Sequence, residues 1–337
     1  YSVEEIKEGM RRVWDQFAEW GVTTTHDAGA HGDAVRAYQQ LLAEGVRKVR
    51  TLLMMSVRKT EGTDILSSLT SLGIESGYGD DWLKFMSLKI MGDGSGSGGS
   101  AAVYTPQHRG MKDLGLMTTS EGEIRELTVR AHNAGIRVSI HSIGDRGIDA
   151  ALDAIEEAQR QRPLNDVRHR IEHNSCCTPR QLRRIKRLEV TPSSSIGYMY
   201  GIGDDYVENF GPERVRWLHP HRTMLEMGIV AAGNSDFPVT SYSPFVQIYE
   251  AVVRKTRSGQ HVSPEESISV MDAIRLYTWN GAYLGKEEDI KGSIEPGKMA
   301  DMVVIDRDIL TVPHEEIKDI KALTTIVDGK IVYKRRQ

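Results

Sequence analysis

Short, apolar, β-rich segments alternate with amphipathic helices along most of this 337-residue chain, and that alternation limits the possible folds more than any other feature. Chains of this pattern build a parallel sheet covered by helices, either open or closed into a barrel. Seven strands are predicted, at residues 22–27, 48–57, 83–91, 137–141, 168–173, 190–196 and 229–236. A closed (β/α)8 barrel needs eight strands. We therefore expect an α/β fold of the TIM-barrel type in which strands two to eight are present and strand one lies upstream of Tyr1.

Helices are predicted between these strands, and the C-terminal segment changes character. The helices are expected after Ser2 and at 33–44, 63–72, 120–134, 146–160, 178–188, 221–227, 244–256 and 270–282, with loops at 92–106 and 198–212. Near the end, two strand segments are joined by Asp328-Gly329, which is a hairpin signal. We expect the barrel to occupy residues 1–285 and part of a small β-sandwich to occupy residues 286–337.

The composition excludes several classes of partner. Apolar residues make up 39% of the chain, charged residues 27%, and the net charge is −4, so no basic excess predicts nucleic-acid binding. No apolar run approaches the length of a membrane span. The two cysteines, Cys176 and Cys177, are adjacent and give no disulfide framework. We expect a cytoplasmic protein with a small-molecule substrate, and we leave open a homo-oligomer or an upstream segment that completes the barrel.

Four polar residues stand where predicted strands end. These are Lys89, His141, His173 and Asp236, and the carboxyl ends of barrel strands meet at one rim, where active sites lie. Two histidines and a carboxylate suit a divalent transition metal such as Zn²⁺. A lysine joins them only if its amine is carboxylated. Each residue alone has an ordinary alternative, namely a core histidine, a helix cap or an ion-paired lysine, and it is the joint placement that favours a metal site.

Two other motifs have competing interpretations. Gly94, Gly96 and Gly99 match the G-x-G-x-x-G dinucleotide fingerprint, but no helix is predicted to open there, so a loop that closes over the active site is the better account. One His-x-His is present, at 219–221, and it opens a helix instead of ending a strand.

Glu172 is expected to point to the opposite side of its strand from His173.

Several strings occur in an order that resembles one enzyme family. They are KIMGDGSGSGGSA, VSIHSIGDRGIDAALDAIEEA, RHRIEHN, GNSDFPVTSYSPF and GSIEPGKMADMVVID. Together they resemble the amidohydrolase superfamily, and look most similar to its amidohydrolase-3 (YtcJ-like) branch, which includes N-substituted formamide deformylases. The resemblance implies a barrel flanked by a small β-sandwich, a centre of one or two metal ions, most readily zinc, and hydrolysis of a C–N or related bond.

The resemblance also implies residue roles. Lys89 matches the bridging lysine, His141 and His173 match the metal ligands of strands five and six, and Asp236 matches the aspartate that contacts the metal and shuttles the proton as general base for a metal-activated water. The family's His-x-His at the end of strand one has no counterpart here. That departure keeps a second hypothesis open, a non-catalytic relative or a split-enzyme subunit that needs an upstream segment or a partner.

Overall fold

Seven parallel strands, hydrogen-bonded in chain order, form the centre of the computed structural model, which describes residues 1–57, 64–106 and 113–336. The strands are β1 (Thr24–Ala30), β2 (Arg50–Ser56), β3 (Leu83–Met91), β4 (Val138–Ser142), β5 (Arg170–His173), β6 (Thr191–Ser194) and β7 (Ala232–Gly233). Within the described residues, β1 and β7 are the two edges and do not pair with each other. The seven predicted strands and their order are confirmed, while closure by a strand upstream of Tyr1 stays a prediction.

Helices follow the strands much as predicted. They are α1 (Val3–Glu19), α2 (Gly32–Ala43), α3 (Ile65–Ser71), α4 (Glu121–Asn133), α5 (Asp145–Gln161), α6 (Pro179–Arg187), α7 (Tyr198–Val215), α8 (His221–Glu226), α9 (Pro244–Val253), α10 (Val270–Tyr277) and α11 (Trp279–Gly285), with 3-10 turns at Pro264–Glu266 and His314–Asp319. Local sequence sets several of the starts, because Ser2 and Thr178 each complete a capping box. The single helix predicted over 270–282 is instead two helices that are separated at Thr278.

The largest difference from the sequence-based prediction is α7, which occupies the segment predicted as a loop. Its glycines lower the intrinsic helix propensity. The helix forms because tertiary packing overrides propensity: Tyr198, Met199, Tyr206 and Phe210 are all buried. The helix is not regular throughout, since Gly211 has φ 69° and interrupts it.

The hydrophobic core lies between the sheet and its helices. Fully buried residues of β3 to β5 pack on the inner faces of α4 to α6; the main members are Leu88, Ile90, Val138, Ile140, Ile171, Ile124, Ile148, Leu152, Ile155 and Leu182. Burial of each such side chain is worth about 1.5–3 kcal/mol relative to exposure. This core fixes the strands whose carboxyl ends carry the polar residues.

The C-terminal residues form a separate antiparallel sheet in the order β10-β9-β8. Its strands are β8 (Met302–Ile305), β9 (Ala322–Val327) and β10 (Lys330–Lys334), and the predicted hairpin turn has positive φ at both Asp328 and Gly329. The sheet is tied to α1 by Thr325, whose hydroxyl donates to the Ala18 carbonyl at 2.6 Å. The domain division at residues 285 and 286 stays a prediction.

Among the described helices, none combines the length and apolarity needed to cross a bilayer.

Candidate metal centre

A cleft of about 580 Å³ runs between the two sheet edges, β1 and β7, and reaches the carboxyl ends of the strands. Three of the four predicted site residues, Lys89, His173 and Asp236, line it. The fourth, His141, lies behind His173, and the two rings meet edge to face with centroids 4.4 Å apart. The parallel strands therefore bring all four residues to one end of the sheet.

His141 uses one ring nitrogen to hold its own orientation. Its Nε2 lies 3.0 Å from the carbonyl oxygen of Gly94, and because a carbonyl oxygen only accepts, Nε2 carries the proton. The lone pair is then on Nδ1, which has no hydrogen-bond partner among the described residues. Burial, together with the charge of Lys89, lowers the pKa of His141 to about 4, so the ring is neutral at neutral pH.

His173 is held in the complementary way. Its Nδ1 lies 2.8 Å from Oγ of Ser195 and 3.2 Å from the hydroxyl oxygen of Tyr198. The ring of Tyr198 also stacks on it, at 5.7 Å and 15°. Burial, with the charges of His141 and Lys89, holds the pKa of His173 well below its ordinary value. Its Nε2 makes no protein hydrogen bond within the described part of the chain.

Lys89 is a buried amine, 6% exposed, near the end of β3. Within residues 1–57, 64–106 and 113–336 its Nζ has no hydrogen bond or ion pair. Burial is the main cause of its lowered pKa and Arg170 adds to it, although the nearby carboxylates Glu172 and Asp236 act in the opposite direction. A buried amine of lowered pKa is more often neutral, which is the form that reacts with carbon dioxide.

Asp236 follows β7 and is the carboxylate of the group. Its Oδ2 accepts a hydrogen bond of 2.5 Å from the hydroxyl of Tyr198. Burial raises the pKa of Asp236, while that hydrogen bond and the charge of Lys89 lower it in part. A carboxylate with a raised pKa is a better proton acceptor than an exposed one.

These donors fit a transition-metal ion in kind. Two neutral imidazoles each offer one lone pair, and an unpaired amine and a carboxylate stand beside them. In the part of the chain that the structure describes, no three His, Cys, Asp or Glu side chains form a ready metal-binding cluster.

The position of Glu172 was predicted wrongly. It lines the same cleft as Lys89 and His173 instead of facing away. The prediction assumed that side chains alternate through the end of β5, but His173 has φ 72° and Asn174 has φ 45°. The pleat therefore ends at Glu172, and His173 turns into the cleft that Glu172 already faces.

Sequence reasoning also missed the charge balance inside the sheet. Arg170 forms a bidentate ion pair with Glu172, with N to O distances of 2.8 and 2.9 Å, and both side chains are buried. Arg170 also donates to Nδ1 of His26 at 2.7 Å. Burial alone would raise the pKa of Glu172, but the charges of Arg170 and Lys89 lower it overall. The signal was available as an Arg-x-Glu pair, because residues two apart lie on one face of a strand.

The His219-Pro220-His221 motif is not brought to this cleft. Nδ1 of His219 is hydrogen-bonded to Oγ of Ser194 at 2.9 Å, and both histidines are buried. Cys176 and Cys177 are buried as well, and burial raises the pKa of each thiol. Neither pair lines the cleft.

The glycine-rich segment at residues 92–106 is a loop, as predicted, and no helix opens after Gly99. The dinucleotide interpretation therefore fails on structural context. The loop is anchored at several points. Asn209 of α7 donates to the carbonyl oxygens of Gly96 and Ser97, both at 2.9 Å, and the buried Asp93 carboxylate accepts from the backbone N–H of Ala102 at 3.0 Å.

Comparisons with known proteins agree on one family. The sequence model Amidohydro_3, described as "Amidohydrolase family", matches residues 1–333. The chain is 34% identical over 230 residues to N-substituted formamide deformylase of Arthrobacter pascens, covering 68% of this chain and 42% of that protein. It is 24% identical over 343 residues to YtcJ of Bacillus subtilis (strain 168), covering 99% of this chain and 62% of that protein.

Solved structures give the same picture. An uncharacterized metal-dependent hydrolase from Pyrococcus horikoshii OT3 superposes with a TM-score of 0.82 at 26% identity, covering 94% of this chain and 62% of that chain. The present chain thus spans less than two thirds of the length of each of these three proteins.

Proposed function

This chain belongs to the amidohydrolase family, and on that premise we propose that it is a metal-dependent hydrolase that cleaves the C–N bond of an amide or formamide-like small molecule. The observation that carries the proposal is the pairing of His141 and His173, whose rings touch while each leaves one nitrogen without a protein partner among the described residues. Lys89 and Asp236 line the adjoining cleft.

The residues that would hold one or two divalent ions are Lys89 in its carboxylated form, His141 through Nδ1, His173 through Nε2, and Asp236. We expect zinc, because neutral imidazole and carboxylate are ligands that it prefers. Such an ion supplies Lewis acidity, which makes a water nucleophilic near neutral pH and polarises a carbonyl group.

Asp236 handles the proton in this mechanism. One of its carboxylate oxygens accepts a proton from the attacking water while the water oxygen bonds to the carbonyl carbon. The C–N bond then breaks as Asp236 passes that proton to the leaving nitrogen, giving a carboxylic acid and an amine. Tyr198 holds Oδ2 of Asp236 at 2.5 Å, which leaves Oδ1 for this exchange.

The first test is the metal content of the purified protein, measured by elemental analysis for the wild type, Lys89→Ala and Asp236→Ala. We expect about one or two equivalents of zinc in the wild type and less in both variants, as the family's metal chemistry implies. Lys84→Ala is a matched control, because Lys84 lies on the same strand and pairs with Glu287 at 2.6 Å. Hydrolysis is then tested by incubating the protein with a panel of N-formyl and N-acyl amines and measuring the amine that is released.

The outcomes separate the two hypotheses. Metal in the wild type and loss in the two site variants, with amine release, supports the hydrolase. If the wild type purified under zinc-replete conditions holds no metal and releases no amine, the hydrolase proposal is contradicted and the non-catalytic or split-subunit alternative is favoured. A small-molecule substrate and a cytoplasmic location remain parts of the proposal.

A further inference from the structure

The residues behind His173 form a chain of hydrogen bonds in which each donor and acceptor can be assigned. The chain begins at Asn234, whose Nδ2 lies 2.9 Å from the carbonyl oxygen of Ser193 and 2.9 Å from its Oγ. A backbone carbonyl can only accept, so the amide nitrogen must be on that side. The amide oxygen of Asn234 is thereby turned toward Ser195.

Ser195 transmits this polarity to the histidine. Its Oγ lies 2.8 Å from Oδ1 of Asn234 and 2.8 Å from Nδ1 of His173. The amide oxygen accepts only, so the single hydroxyl hydrogen of Ser195 goes to Asn234. The serine oxygen can then interact favourably with His173 only by accepting a proton from Nδ1.

Tyr198 completes the arrangement from the other side. Its hydroxyl hydrogen is directed to Oδ2 of Asp236 at 2.5 Å, so its oxygen also faces Nδ1 of His173 as an acceptor, at 3.2 Å. Two acceptors on Nδ1 require the proton there, and the lone pair is left on Nε2. The stacked ring of Tyr198 limits rotation of the imidazole.

We propose that Ser195, oriented by Asn234, is a positioning residue that fixes the Nδ1–H tautomer of His173 and so presents the Nε2 lone pair to the metal. The inference rests on the proposed metal site. Hydrogen bonds of this kind behind a ligand histidine set its tautomer and raise its basicity, and their loss typically costs about 10- to 100-fold in metal affinity.

The tautomer can be measured without metal or substrate. In the metal-free protein labelled with ¹⁵N-histidine, nitrogen–proton correlation spectra report which ring nitrogen of His173 is protonated. We expect Nδ1–H in the wild type. Asn234→Leu is the sharpest variant, because Asn234 makes its side-chain hydrogen bonds to Ser193 and Ser195 and not to His173, and its loss frees the Ser195 hydroxyl to donate to Nδ1. It should move His173 toward the Nε2–H form, which a purely structural role for Ser195 would not do.

Zinc affinity, measured by competition with a chromophoric chelator, provides the second readout. Ser195→Ala and Asn234→Leu should each weaken zinc binding by about 10-fold or more. Ser194→Ala is the matched control, since Ser194 is the preceding residue and makes a buried hydrogen bond of 2.9 Å to a different histidine, His219. It should change neither the His173 tautomer nor the zinc affinity.

Each outcome decides the matter. An Nε2–H tautomer in the wild type, or equal zinc affinities in Ser195→Ala and Ser194→Ala, overturns the inference even if the protein is a zinc hydrolase. Absence of zinc binding in the wild type overturns the proposed metal site and the role of the Nε2 lone pair with it. The expected tautomer with selective loss of affinity supports both.

Discussion

The hydroxyl of Tyr198 lies 2.5 Å from Oδ2 of Asp236, and the ring that carries it stacks on His173. One side chain therefore contacts both the proposed general base and a proposed metal ligand. Tyr198 is the first residue of α7, so the position of that helix determines where this contact falls.

Tyr198→Phe should lower kcat/KM by about 10- to 100-fold, because a hydrogen bond to a charged group is worth about 1.5–3 kcal/mol and 1.4 kcal/mol corresponds to a factor of ten. The phenyl ring keeps the stacking on His173, so the fold should be preserved. Steady-state kinetics on a substrate from the amine-release screen measures the effect. Tyr200→Phe, two residues along the same helix, is the control and should have little effect. An unchanged kcat/KM in Tyr198→Phe would remove this residue from the mechanism.

The buried ion pair of Arg170 and Glu172 should be costly to break. Glu172→Gln leaves the guanidinium without its carboxylate, and removing one partner of a buried pair typically destabilises a protein by about 3–5 kcal/mol. Urea unfolding gives the free energy change. The double variant Arg170→Met with Glu172→Gln should recover part of the loss, because it removes the unpaired charge.

An exposed pair provides the comparison. Glu8 and Arg12 lie one helical turn apart at 2.9 Å with both side chains exposed, and Glu8→Gln should cost no more than about 1 kcal/mol. Equal losses in Glu8→Gln and Glu172→Gln would mean that the buried pair is solvated in solution.

The sequence predicted the elements whose patterns are strong. The strand at 83–91 has the bounds found for β3, Leu83–Met91, because a mostly apolar segment lies between two segments rich in Gly and Asp, which favour turns. Lys89, His141, His173 and Asp236 were expected at one end of the sheet because they fall at or near the C-terminal ends of the predicted strands. The order of strands in the sheet followed from the chain alternation alone.

Features that depend on tertiary packing were not predictable in this way. The glycines of α7 favour a loop, and only burial of residues such as Tyr206 and Phe210 stabilises the helix. Glu172 and His173 can both face the cleft because the backbone of His173 is left-handed, and no residue pattern predicts that conformation. The roles of Ser195 and Asn234 depend on contacts across neighbouring strands.

Gly96→Ala should destabilise the protein, because a Cβ at this position would overlap the phenol ring of Tyr206. Forcing an extra methyl group into a packed contact costs about 1–3 kcal/mol. Gly98→Ala is the control in the same loop, since its Cβ would meet only the Ser95 side chain, at 3.3 Å. Tyr206→Leu in the Gly96→Ala background should relieve the overlap and restore part of the unfolding free energy. Equal unfolding free energies for Gly96→Ala and Gly98→Ala would show that Tyr206 of α7 does not pack closely against the loop at Gly96.

Acid should destabilise the fold through a pair of buried histidines, His132 and His169, that do not line the cleft. The backbone N–H of Val138 donates to Nδ1 of His169 at 3.1 Å, so Nε2 of His169 donates to Nδ1 of His132 at 2.9 Å. Nε2 of His132 in turn donates to the carbonyl of Arg162 at 2.7 Å. Every ring nitrogen in this relay is used, and a proton added to His169 would face the N–H of Val138.

The pH dependence follows from the direction of the shift. Burial, with His132 and Arg137 adding to it, holds the pKa of His169 well below its ordinary value, whereas in the unfolded chain it is about 6.5. The stability from neutral His169 is therefore complete above about pH 6.5 and is lost as the pH falls toward the folded pKa, at up to about 1.4 kcal/mol per pH unit for one proton. His169→Gln should reduce the slope of unfolding free energy against pH by about that amount, measured by urea unfolding between about pH 7 and 5. His31→Gln, at an exposed histidine, should leave the slope unchanged, and an equal slope in His169→Gln and the wild type would mean that the relay accepts a proton without cost.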